Sequence, residues 1–324
     1  MLPAESGATS CCSAIQHVLR ESTMSYTSRL DLPYAGAQSP RQALDLYLPF
    51  SSSSTSPPPL LVYVHGGAWR SESKEDFRKT LAPLLLKQTN LPLAILDYRL
   101  APSDPHPAQI TDVLSGLDLL TASTLLPGEG DSPKWDRSRI ILLGHSAGAF
   151  MCLQVLFDPP KGSCSPPASK QVRDAVEKAF LIDGIYDLPS LLDEYPSYLS
   201  FVSDAFGPPS SVDAEEDASS SSSSAQIPYA LESPARWSIP STAHARRTEL
   251  HILHSKEDEL LSLAQPDFLL QRLSSLGAFR DRVKVDYETL KGGHYEVVHT
   301  KAEALARYVA QALERGGAES VSKS

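Results

Sequence analysis

A serine between two glycines follows an apolar run near the middle of the chain. Residues 144–148 read Gly-His-Ser-Ala-Gly, and residues 140–143 before them are all isoleucine or leucine. An apolar strand that turns sharply into a helix around such a serine is the nucleophile elbow of serine hydrolases, where the glycines let strand and helix approach closely. Residues 149–156 after the motif are apolar and helix-like. We therefore predict that Ser146 is a nucleophile rather than a serine in an ordinary turn.

Two further residues have the types and the chain order that such a nucleophile needs. A serine hydroxyl is a weak nucleophile near neutral pH, so Ser146 requires a base, and the base requires a carboxylate to orient it. In hydrolases with this elbow the order is serine, then Asp or Glu, then histidine. Asp258 follows the apolar run 250–253, and His294 follows two glycines after the strand-like run 283–287. We predict Asp258 as the acid and His294 as the base.

Other imidazole and carboxyl groups compete for these two roles. His145 adjoins the nucleophile, but its side chain is expected to point away from Ser146 and to pack. Only one carboxylate near position 258 can be aimed at His294, and two further histidines lack glycine neighbours. We therefore predict structural roles for the other candidates, which are Asp183, Asp187, His254, Glu257, Glu259, Asp286 and His299.

A second glycine motif precedes the elbow. Residues 65–69 read His-Gly-Gly-Ala-Trp and directly follow the apolar run 60–64. Glycines in such a position let backbone N–H groups turn toward an oxyanion that develops during acyl transfer. We predict an oxyanion hole formed by Gly66, Gly67 and the amide of Ala147, although the sequence does not decide among the amides of residues 66, 67 and 68. The alternative is a simple turn after a strand.

The side chains around this second motif have less certain roles. His65 is predicted to orient its loop through hydrogen bonds rather than to act as a base. Trp69 either stacks on an aromatic substrate or plugs the space under the oxyanion loop, and the sequence favours neither. Arg70 and Arg99 could meet a substrate carboxylate, but ion pairs within the protein are the expected role of both.

Composition limits the class of protein. The 324 residues carry a net charge of −10, and no basic patch stands out, so a nucleic-acid partner is not expected. No apolar run is long enough to span a bilayer, and no secretory signal or transit-peptide pattern opens the sequence. The cysteines show no metal-ligand spacing and no disulfide framework, so we expect a cytoplasmic protein without a metal site. These cysteines are Cys11, Cys12, Cys152 and Cys164.

Strand-like and helix-like runs alternate along the chain. The strand-like runs are 43–48, 60–64, 93–96, 140–143, 179–182, 250–253 and 283–287, and the helix-like runs include 110–120, 266–276 and 301–313. This alternation predicts an α/β fold with a mostly parallel, doubly wound sheet and helices on both faces. The elbow and the two glycine-bearing loops would then lie at one edge of that sheet.

We predict one domain over residues 25–314, with flexible tails at 1–24 and 315–324. Serine- and proline-rich segments near 51–59, 158–169 and 208–226 are predicted to be disordered insertions, because they contain too little apolar surface to pack. Residues 188–206 are rich in Tyr, Leu and Phe and sit where hydrolases of this kind place a small cap. Core packing would explain the same composition.

These motifs together resemble the α/β-hydrolase superfamily, and within it the hormone-sensitive-lipase-like esterases and the kynurenine formamidases. The resemblance covers about residues 34–309, including the run Asp-Tyr-Arg-Leu-Ala-Pro at 97–102 and Gly-Ile-Tyr-Asp-Leu at 184–188. Lipase-like esterases usually carry a third glycine in this motif, whereas kynurenine formamidases carry His-Gly-Gly-x-Trp. The tryptophan therefore favours the formamidases.

The resemblance implies an α/β-hydrolase fold with about eight strands and a small cap. It implies an arylformamidase that converts N-formyl-L-kynurenine to L-kynurenine and formate in tryptophan degradation, with Ser146, Asp258 and His294 as its triad and no cofactor. A small-molecule substrate and, by analogy, a homodimer are expected. The alternatives are a carboxylesterase of broad specificity with the same triad and a catalytically inactive receptor with a hydrolase fold.

Overall fold

The strand-like runs of the sequence form one sheet in the computed structural model, which describes residues 16–21, 24–34, 36–50, 56–123, 134–209, 229–240, 247–276 and 281–321. In chain order the strands are β1 (Gln16–Glu21), β2 (Met24–Pro33), β3 (Ala43–Pro49), β4 (Leu60–Val64), β5 (Leu93–Leu96), β6 (Ile140–His145), β7 (Val176–Ile182), β8 (Glu249–Leu253) and β9 (Val283–Asp286). Every residue of β4, β5 and β6 is buried, because these apolar strands lie in the middle of the sheet with both faces covered.

The order of the strands places the predicted loops at one edge. The order is β1-β2-β3-β5-β4-β6-β7-β8-β9, with antiparallel pairing from β1 to β5 and parallel pairing from β5 to β9. Parallel strands end at the same edge of a sheet, so the loops after β4, β6, β8 and β9 lie near one another. The predicted mostly parallel sheet is confirmed. The described part has nine strands rather than about eight, because β1 pairs with β2.

Helices cover both faces of this sheet. In chain order they are α1 (Leu81–Thr89), α2 (Ala108–Thr121), α3 (Ala147–Leu156), α4 (Lys170–Ala175), α5 (Leu188–Glu194), α6 (Leu199–Phe206), α7 (Ala264–Leu276) and α8 (Glu303–Val321). Side chains of α1 and α8 share one apolar cluster, and side chains of α2, α3 and α7 share the other. Within the ranges given above, no helix is both long enough and apolar enough to cross a membrane.

Both predicted tails contain regular structure. Residues 16–21 were expected in a flexible tail but form β1, which pairs with β2 along its whole length. Backbone pairing of this kind leaves little trace in composition. At the other end, α8 continues to Val321 instead of ending near residue 314, so it passes through the two glycines at 316 and 317 where the helical pattern weakens.

The predicted insertion at 158–169 is also ordered, and one distant carboxylate explains why. Glu232 accepts hydrogen bonds from the Ser163 hydroxyl at 2.7 Å and the Cys164 amide at 2.8 Å. The Ser165 hydroxyl, which is buried, lies 3.0 Å from the same carboxylate. The disorder predicted for this segment from its composition is therefore wrong. Of the other two predicted insertions, residues 51–55 and 210–226 lie outside the described residues.

The region predicted as a cap or as core consists of α5, a short 3₁₀ turn at Pro196–Tyr198, and α6. Asp187 begins α5 by accepting a hydrogen bond from the Ser190 amide at 2.9 Å, and its buried carboxylate also pairs with Arg236. Phe206 at the end of α6 packs edge-on against Trp69, with 5.0 Å between ring centroids. The cap region therefore rests directly on the loop that follows β4.

Candidate active site

Ser146 occupies a strained backbone position between β6 and α3. Its φ is 54° and its ψ is −118°, which is unusual for a residue other than glycine. Hydrogen bonds hold this conformation, because the Ser146 amide donates to the Ile182 carbonyl at 2.9 Å and the Ser146 carbonyl accepts from the Ala149 amide at 3.0 Å. Strain that is held by surrounding contacts is typical of functional sites.

The glycines of the elbow allow the close approach that the motif predicts. A Cβ atom on Gly148 would lie 2.6 Å from the carbonyl oxygen of His65 and would meet the Val64 carbonyl oxygen as well. A Cβ atom on Gly144 would lie 2.6 Å from the carbonyl carbon of Gly148. Helix α3 therefore begins directly against the end of β4, which carries the second glycine motif.

Asp258 and His294 are joined at the same edge. Nδ1 of His294 lies 2.7 Å from Oδ2 of Asp258, and both side chains are almost fully buried. The other oxygen, Oδ1, accepts from the amides of Leu260 and Leu261 at 2.8 and 2.9 Å. Burial alone would raise the pKa of Asp258, but these hydrogen bonds and the nearby imidazole outweigh it and lower the pKa. The Asp258 carboxylate is thus stabilised in its charged form.

The loop of His294 is fixed by its neighbours on both sides. Its amide donates to Oε2 of Glu259 at 3.0 Å, and its carbonyl accepts from Nε2 of His145 at 2.9 Å. Complete burial, followed by repulsion from His294, lowers the pKa of His145 to about 3, so His145 is neutral near pH 7. His145 therefore packs and positions, as the sequence predicted.

Ser146 lies near His294, because its chain neighbour His145 packs against the His294 ring. The rings of His145 and His294 are 4.6 Å apart, and Ser146 directly follows His145. Across the described ranges, the Ser146 hydroxyl makes no hydrogen bond to the His294 ring. Hydrogen bonds of this kind are often long without substrate and tighten when it binds. The two residues are 4% and 2% exposed, so the site is nearly closed to solvent.

The loop at 65–69 has the backbone geometry of an anion site. Gly67 has a φ of 82°, and a Cβ atom on Gly66 would lie 2.9 Å from Cβ of Ser146. The Gly67 carbonyl accepts from the amides three and four residues later, at Arg70 and Ser71, which closes the loop in a tight turn. In the described part of the chain, the predicted oxyanion-hole amides of Gly66, Gly67 and Ala147 have no acceptor, and neither has the amide of Ala68. Buried amides without acceptors beside a serine can stabilise an oxyanion.

Two aromatic side chains hold this loop in place, and one of them was not predicted. The His65 ring stacks on the Tyr98 ring at 4.2 Å, and its Nε2 lies 3.1 Å from Oδ1 of Asp97. The Tyr98 hydroxyl donates to the carbonyls of Gly66 at 2.6 Å and His65 at 3.0 Å. The sequence singled out the run 97–102 only as a family feature. That run was the available sequence signal for Tyr98. Tyr98 follows β5 but its hydroxyl bonds to the loop after β4, so this contact cannot be inferred from neighbouring residues in the sequence.

Comparison with known proteins decides the family. A family profile described as the α/β-hydrolase fold matches residues 61–230. The kynurenine formamidase of Eremothecium gossypii is 32% identical over 79% of this chain and 94% of its own length. The chain belongs to the kynurenine formamidase family of α/β-hydrolases. The kynurenine formamidase of Saccharomyces cerevisiae is similar too, with 29% identity over 70% of this chain and 80% of its own.

Solved structures support the same fold. A truncated carbohydrate esterase from gut microbiota superposes with a TM-score of 0.61 at 16% identity, covering 91% of this chain and 98% of the esterase. Esterase B from Lactobacillus rhamnosis superposes with a TM-score of 0.61 at 17% identity, covering 92% and 90%. At these identities the likeness establishes the fold alone.

The tryptophan that favoured a kynurenine formamidase lies in a packed aromatic cluster. Trp69 is 1% exposed, and it contacts Phe150 of α3 and Phe206 of α6 edge-on at 5.2 and 5.0 Å. Of the two roles left open by the sequence, these contacts favour the structural plug under the oxyanion loop. The next residue, Arg70, pairs with Asp204 of α6 at 2.8 Å and is 39% exposed. The loop that follows β4 and the cap region are therefore linked by two contacts, through Trp69 and through Arg70.

The remaining candidates have structural partners in the described residues. Arg99 is held by Asp112 at 2.8 Å, so a substrate carboxylate would have to displace a buried partner. His254 donates to the Leu261 carbonyl at 2.9 Å, and His299 lies 3.2 Å from Glu72. Asp187 and Asp286 accept hydrogen bonds within their own turns. Asp183 is different, because it lies close to Asp258 and His294, two residues of the predicted triad.

Two groups of side chains have the spacing of metal ligands. The first is His145, Asp183 and His294, and the second is Asp183, His254 and Asp258, with ligand atoms within 4.8 Å of one another in each group. Nδ1 of His294 is already bonded to Asp258, and Nε2 of His145 and of His254 donate to carbonyls. Nδ1 of His145 and of His254 have no partner in the described residues, but a metal bound through Nδ1 of His294 or through Asp258 would have to break the bond that joins those two residues, so we assign no metal site here.

Proposed function

We propose that this enzyme hydrolyses the formamide of N-formyl-L-kynurenine to L-kynurenine and formate, a step of tryptophan degradation. Two kinds of evidence support the proposal. The chain belongs to the kynurenine formamidase family. The single geometric observation that carries it is the bond from Nδ1 of His294 to Asp258 beside the elbow of Ser146, because it leaves Nε2 as a base.

In the proposed first half-reaction, Nε2 of His294 takes the proton of the Ser146 hydroxyl while Oγ attacks the formyl carbon. The carbonyl oxygen becomes an oxyanion and accepts hydrogen bonds from amides of the predicted hole, which is formed by Gly66, Gly67 and Ala147. Asp258 stabilises the imidazolium. When the C–N bond breaks, the imidazolium gives its proton to the arylamine nitrogen, which leaves as L-kynurenine. The formyl group remains as an ester on Ser146.

The second half-reaction restores the enzyme. His294 takes a proton from a water molecule, and the resulting hydroxide attacks the formyl carbon, so that the oxyanion forms again in the same hole. The ester bond breaks, the imidazolium returns a proton to Oγ of Ser146, and formic acid leaves and ionises to formate. Each proton taken by His294 is returned within the same half-reaction.

The nearly closed site suits a small acyl group. Ser146 and His294 are almost fully buried, and the Trp69 cluster fills the space beneath the cap. A formyl group is the smallest acyl group, so it needs little room beside the elbow. An arylamine is also less basic than an alkylamine and leaves more easily. Esterase-type residues are therefore sufficient for this amide.

A comparison of substrates tests the proposal against a general carboxylesterase. We expect kcat/KM for N-formyl-L-kynurenine to exceed that for p-nitrophenyl acetate and butyrate. A preference for the esters by orders of magnitude would overturn the formamidase assignment while retaining the triad. An organophosphate probe separates both enzymes from an inactive receptor, because it labels an activated Ser146 and leaves a Ser146→Ala variant unlabelled.

We further propose a cytoplasmic homodimer without a nucleic-acid partner, built from one domain that includes β1 and α8. The net charge of −10 is unsuited to nucleic acid, and Cys152 and Cys164 are free thiols, as a reducing compartment favours. The dimer is inferred by analogy with such enzymes. Light scattering, limited proteolysis and the location of a fluorescent fusion test these points separately.

A further inference from the structure

Asp183, at the end of β7, has the features of a functional residue although the sequence suggested a structural one. It is fully buried, and its φ of 41° is unusual for a residue other than glycine. Its amide donates to the Leu253 carbonyl at 2.9 Å, which fixes it beside the end of β8. Its Oδ1 accepts from the Ser255 amide at 2.7 Å. The carboxyl group is therefore held at the start of the loop that carries Asp258.

Three buried polar atoms around this position have no hydrogen-bond partner in the described residues. They are Oδ2 of Asp183, Nδ1 of His254 and Nδ1 of His145. Nε2 of His254 donates to the Leu261 carbonyl, and Nε2 of His145 donates to the His294 carbonyl, so each Nδ1 is a bare acceptor in the neutral ring. An ionised Asp183 would add a third acceptor. A protonated Asp183 supplies the donor that this cluster lacks.

The hydrogen-bond partners of Asp183 and Asp258 indicate which of the two carboxyl groups is ionised. Asp258 receives hydrogen bonds from the His294 ring and two amides, whereas Asp183 receives one, from Ser255. Two carboxyl groups so close together in a buried site do not both ionise readily. Burial first, and then the charge of Asp258, raise the pKa of Asp183 well above its ordinary value. Asp258 is thus the ionised member and Asp183 the protonated one.

The groups that face Asp183 come from several elements. They are His145, Tyr186, His254, Asp258, Glu259 and His294. The carboxylates among them disfavour a second negative charge, and the neutral imidazoles offer acceptors rather than donors. A ring nitrogen of His294 lies within 4.8 Å of the Asp183 carboxyl group, so a small movement of the ring would bring the two into contact.

We propose that Asp183 is a second acid of the active site, a positioning residue that keeps its proton while Asp258 is ionised and that orients His294 when the carboxylate at position 258 is removed. This rests on the proposed triad mechanism but not on the identity of the substrate. Asp183 acts only through His294, since nothing places it against the reacting atoms. When Asp183 loses its own proton, its carboxylate can accept a hydrogen bond from Nδ1 of His294.

A double-mutant cycle tests the proposal, with p-nitrophenyl acetate as a substrate that needs only the triad. Asp258→Ala is expected to lower kcat/KM by about 10³–10⁴-fold, as loss of a triad acid does. Its residual activity is expected to rise with pH by about tenfold per unit, as Asp183 ionises. Adding Asp183→Asn is expected to abolish that rise and to lower the activity at pH 9 by at least about tenfold.

Asp183→Asn alone is expected to have a small effect, because Asn is neutral, tolerates positive φ and accepts from the Ser255 amide. We expect at most about a threefold loss in kcat/KM and no shift in the pH midpoint. A midpoint shift of one unit or more would show that Asp183 is charged in the native enzyme and would overturn the proposal. Equal activities of Asp258→Ala with and without Asp183→Asn would overturn it as well.

Two controls keep the outcome interpretable. If the asparagine variant does not fold, Asp183→Gly takes its place in the Asp258→Ala background, because glycine fits the positive φ and removes the carboxyl group. It should likewise abolish the rise of residual activity with pH. Asp187→Asn neutralises an equally buried aspartate that faces Arg236, and it should lower stability without changing the pH profile. If the unmodified protein is no more active than Ser146→Ala, the proposed function itself has failed.

Discussion

Gly148→Ala tests whether catalysis depends on the close approach of α3 to β4. The added Cβ atom would lie 2.6 Å from the His65 carbonyl oxygen, whereas an ordinary contact begins near 3.4 Å, so the helix must retreat by at least about 0.8 Å, and farther to clear the Val64 carbonyl oxygen, which lies closer still. Both groups that it meets are backbone carbonyls, at His65 and Val64, and neither can rotate aside. The retreat displaces the Ala147 amide and Ser146 relative to the loop of Gly67.

The expected magnitudes follow from this displacement. Overpacking of a close-packed contact destabilises a protein by about 1–3 kcal/mol. A misplacement near 1 Å lowers the rate by about 100-fold, because the oxyanion donors no longer meet the reacting group. We therefore expect kcat of Gly148→Ala to fall by roughly 10- to 100-fold, with a smaller change in KM. Steady-state kinetics and urea unfolding measure the two effects separately.

Gly116→Ala is the matched control. It lies within α2, and its Cβ atom would approach only the side chains of Leu96 and Tyr34, at 3.0 Å. Alanine is favoured over glycine in a helix by up to about 1 kcal/mol, which offsets a modest clash. We expect unchanged kcat and stability within about 1 kcal/mol. A Gly148→Ala variant that keeps full kcat, or loses no more than the control, would refute the argument from close approach.

Three further predictions concern single side chains. Ser146→Ala should lower kcat by on the order of 10⁶-fold, with an unchanged melting temperature by calorimetry; substantial activity would exclude it as the nucleophile. Arg70→Gln removes the partly exposed ion pair with Asp204, so it should lower the free energy of unfolding by about 1 kcal/mol or less in a urea titration and leave KM for N-formyl-L-kynurenine unchanged; a tenfold rise in KM would show instead that Arg70 binds the substrate. Burial would raise the pKa of Glu232, but hydrogen bonds from His106, Cys164 and Ser163 outweigh it and lower the pKa to about 2. The stability gained from Glu232 is therefore complete above its ordinary pKa near 4.5 and is lost as the pH falls toward 2, so Glu232→Gln should flatten the urea midpoint between pH 5 and 3.

The elbow of Ser146 and the contact between Asp258 and His294 were accessible from the sequence because their causes are local or topological. At Gly144 and Gly148 a Cβ atom would clash with nearby backbone atoms, so glycine is required at both positions. The glycine-serine-glycine spacing in the sequence therefore predicts the turn. Parallel strands bring the loops of Asp258 and His294 to one edge whatever their length. The strand runs were predictable for the same reason, since burial on both faces demands a continuous apolar stretch.

Features that depend on one distant partner could not be predicted. The segment 158–169 resembles a disordered insertion in composition, but it is ordered by Glu232, which lies beyond the whole cap region. Tyr98 reaches from β5 to two carbonyls after β4. Asp183 was grouped with ordinary structural aspartates because its burial and its unpaired oxygen arise only when β7 and β8 lie side by side.

A contact between a histidine and a carboxylate does not by itself identify a catalytic base in this protein. Five histidines in the described residues hydrogen-bond to an Asp or Glu side chain, and four of them do so through Nε2: His65 with Asp97, His106 with Glu232, His251 with Glu249 and His299 with Glu72. His294 alone among these five uses Nδ1. Nε2 is the ring nitrogen farther from the backbone. When Nε2 is hydrogen-bonded to a carboxylate, it is not available to accept a proton from a serine hydroxyl. The ring nitrogen, rather than the presence of a carboxylate, therefore distinguishes His294 from the other four.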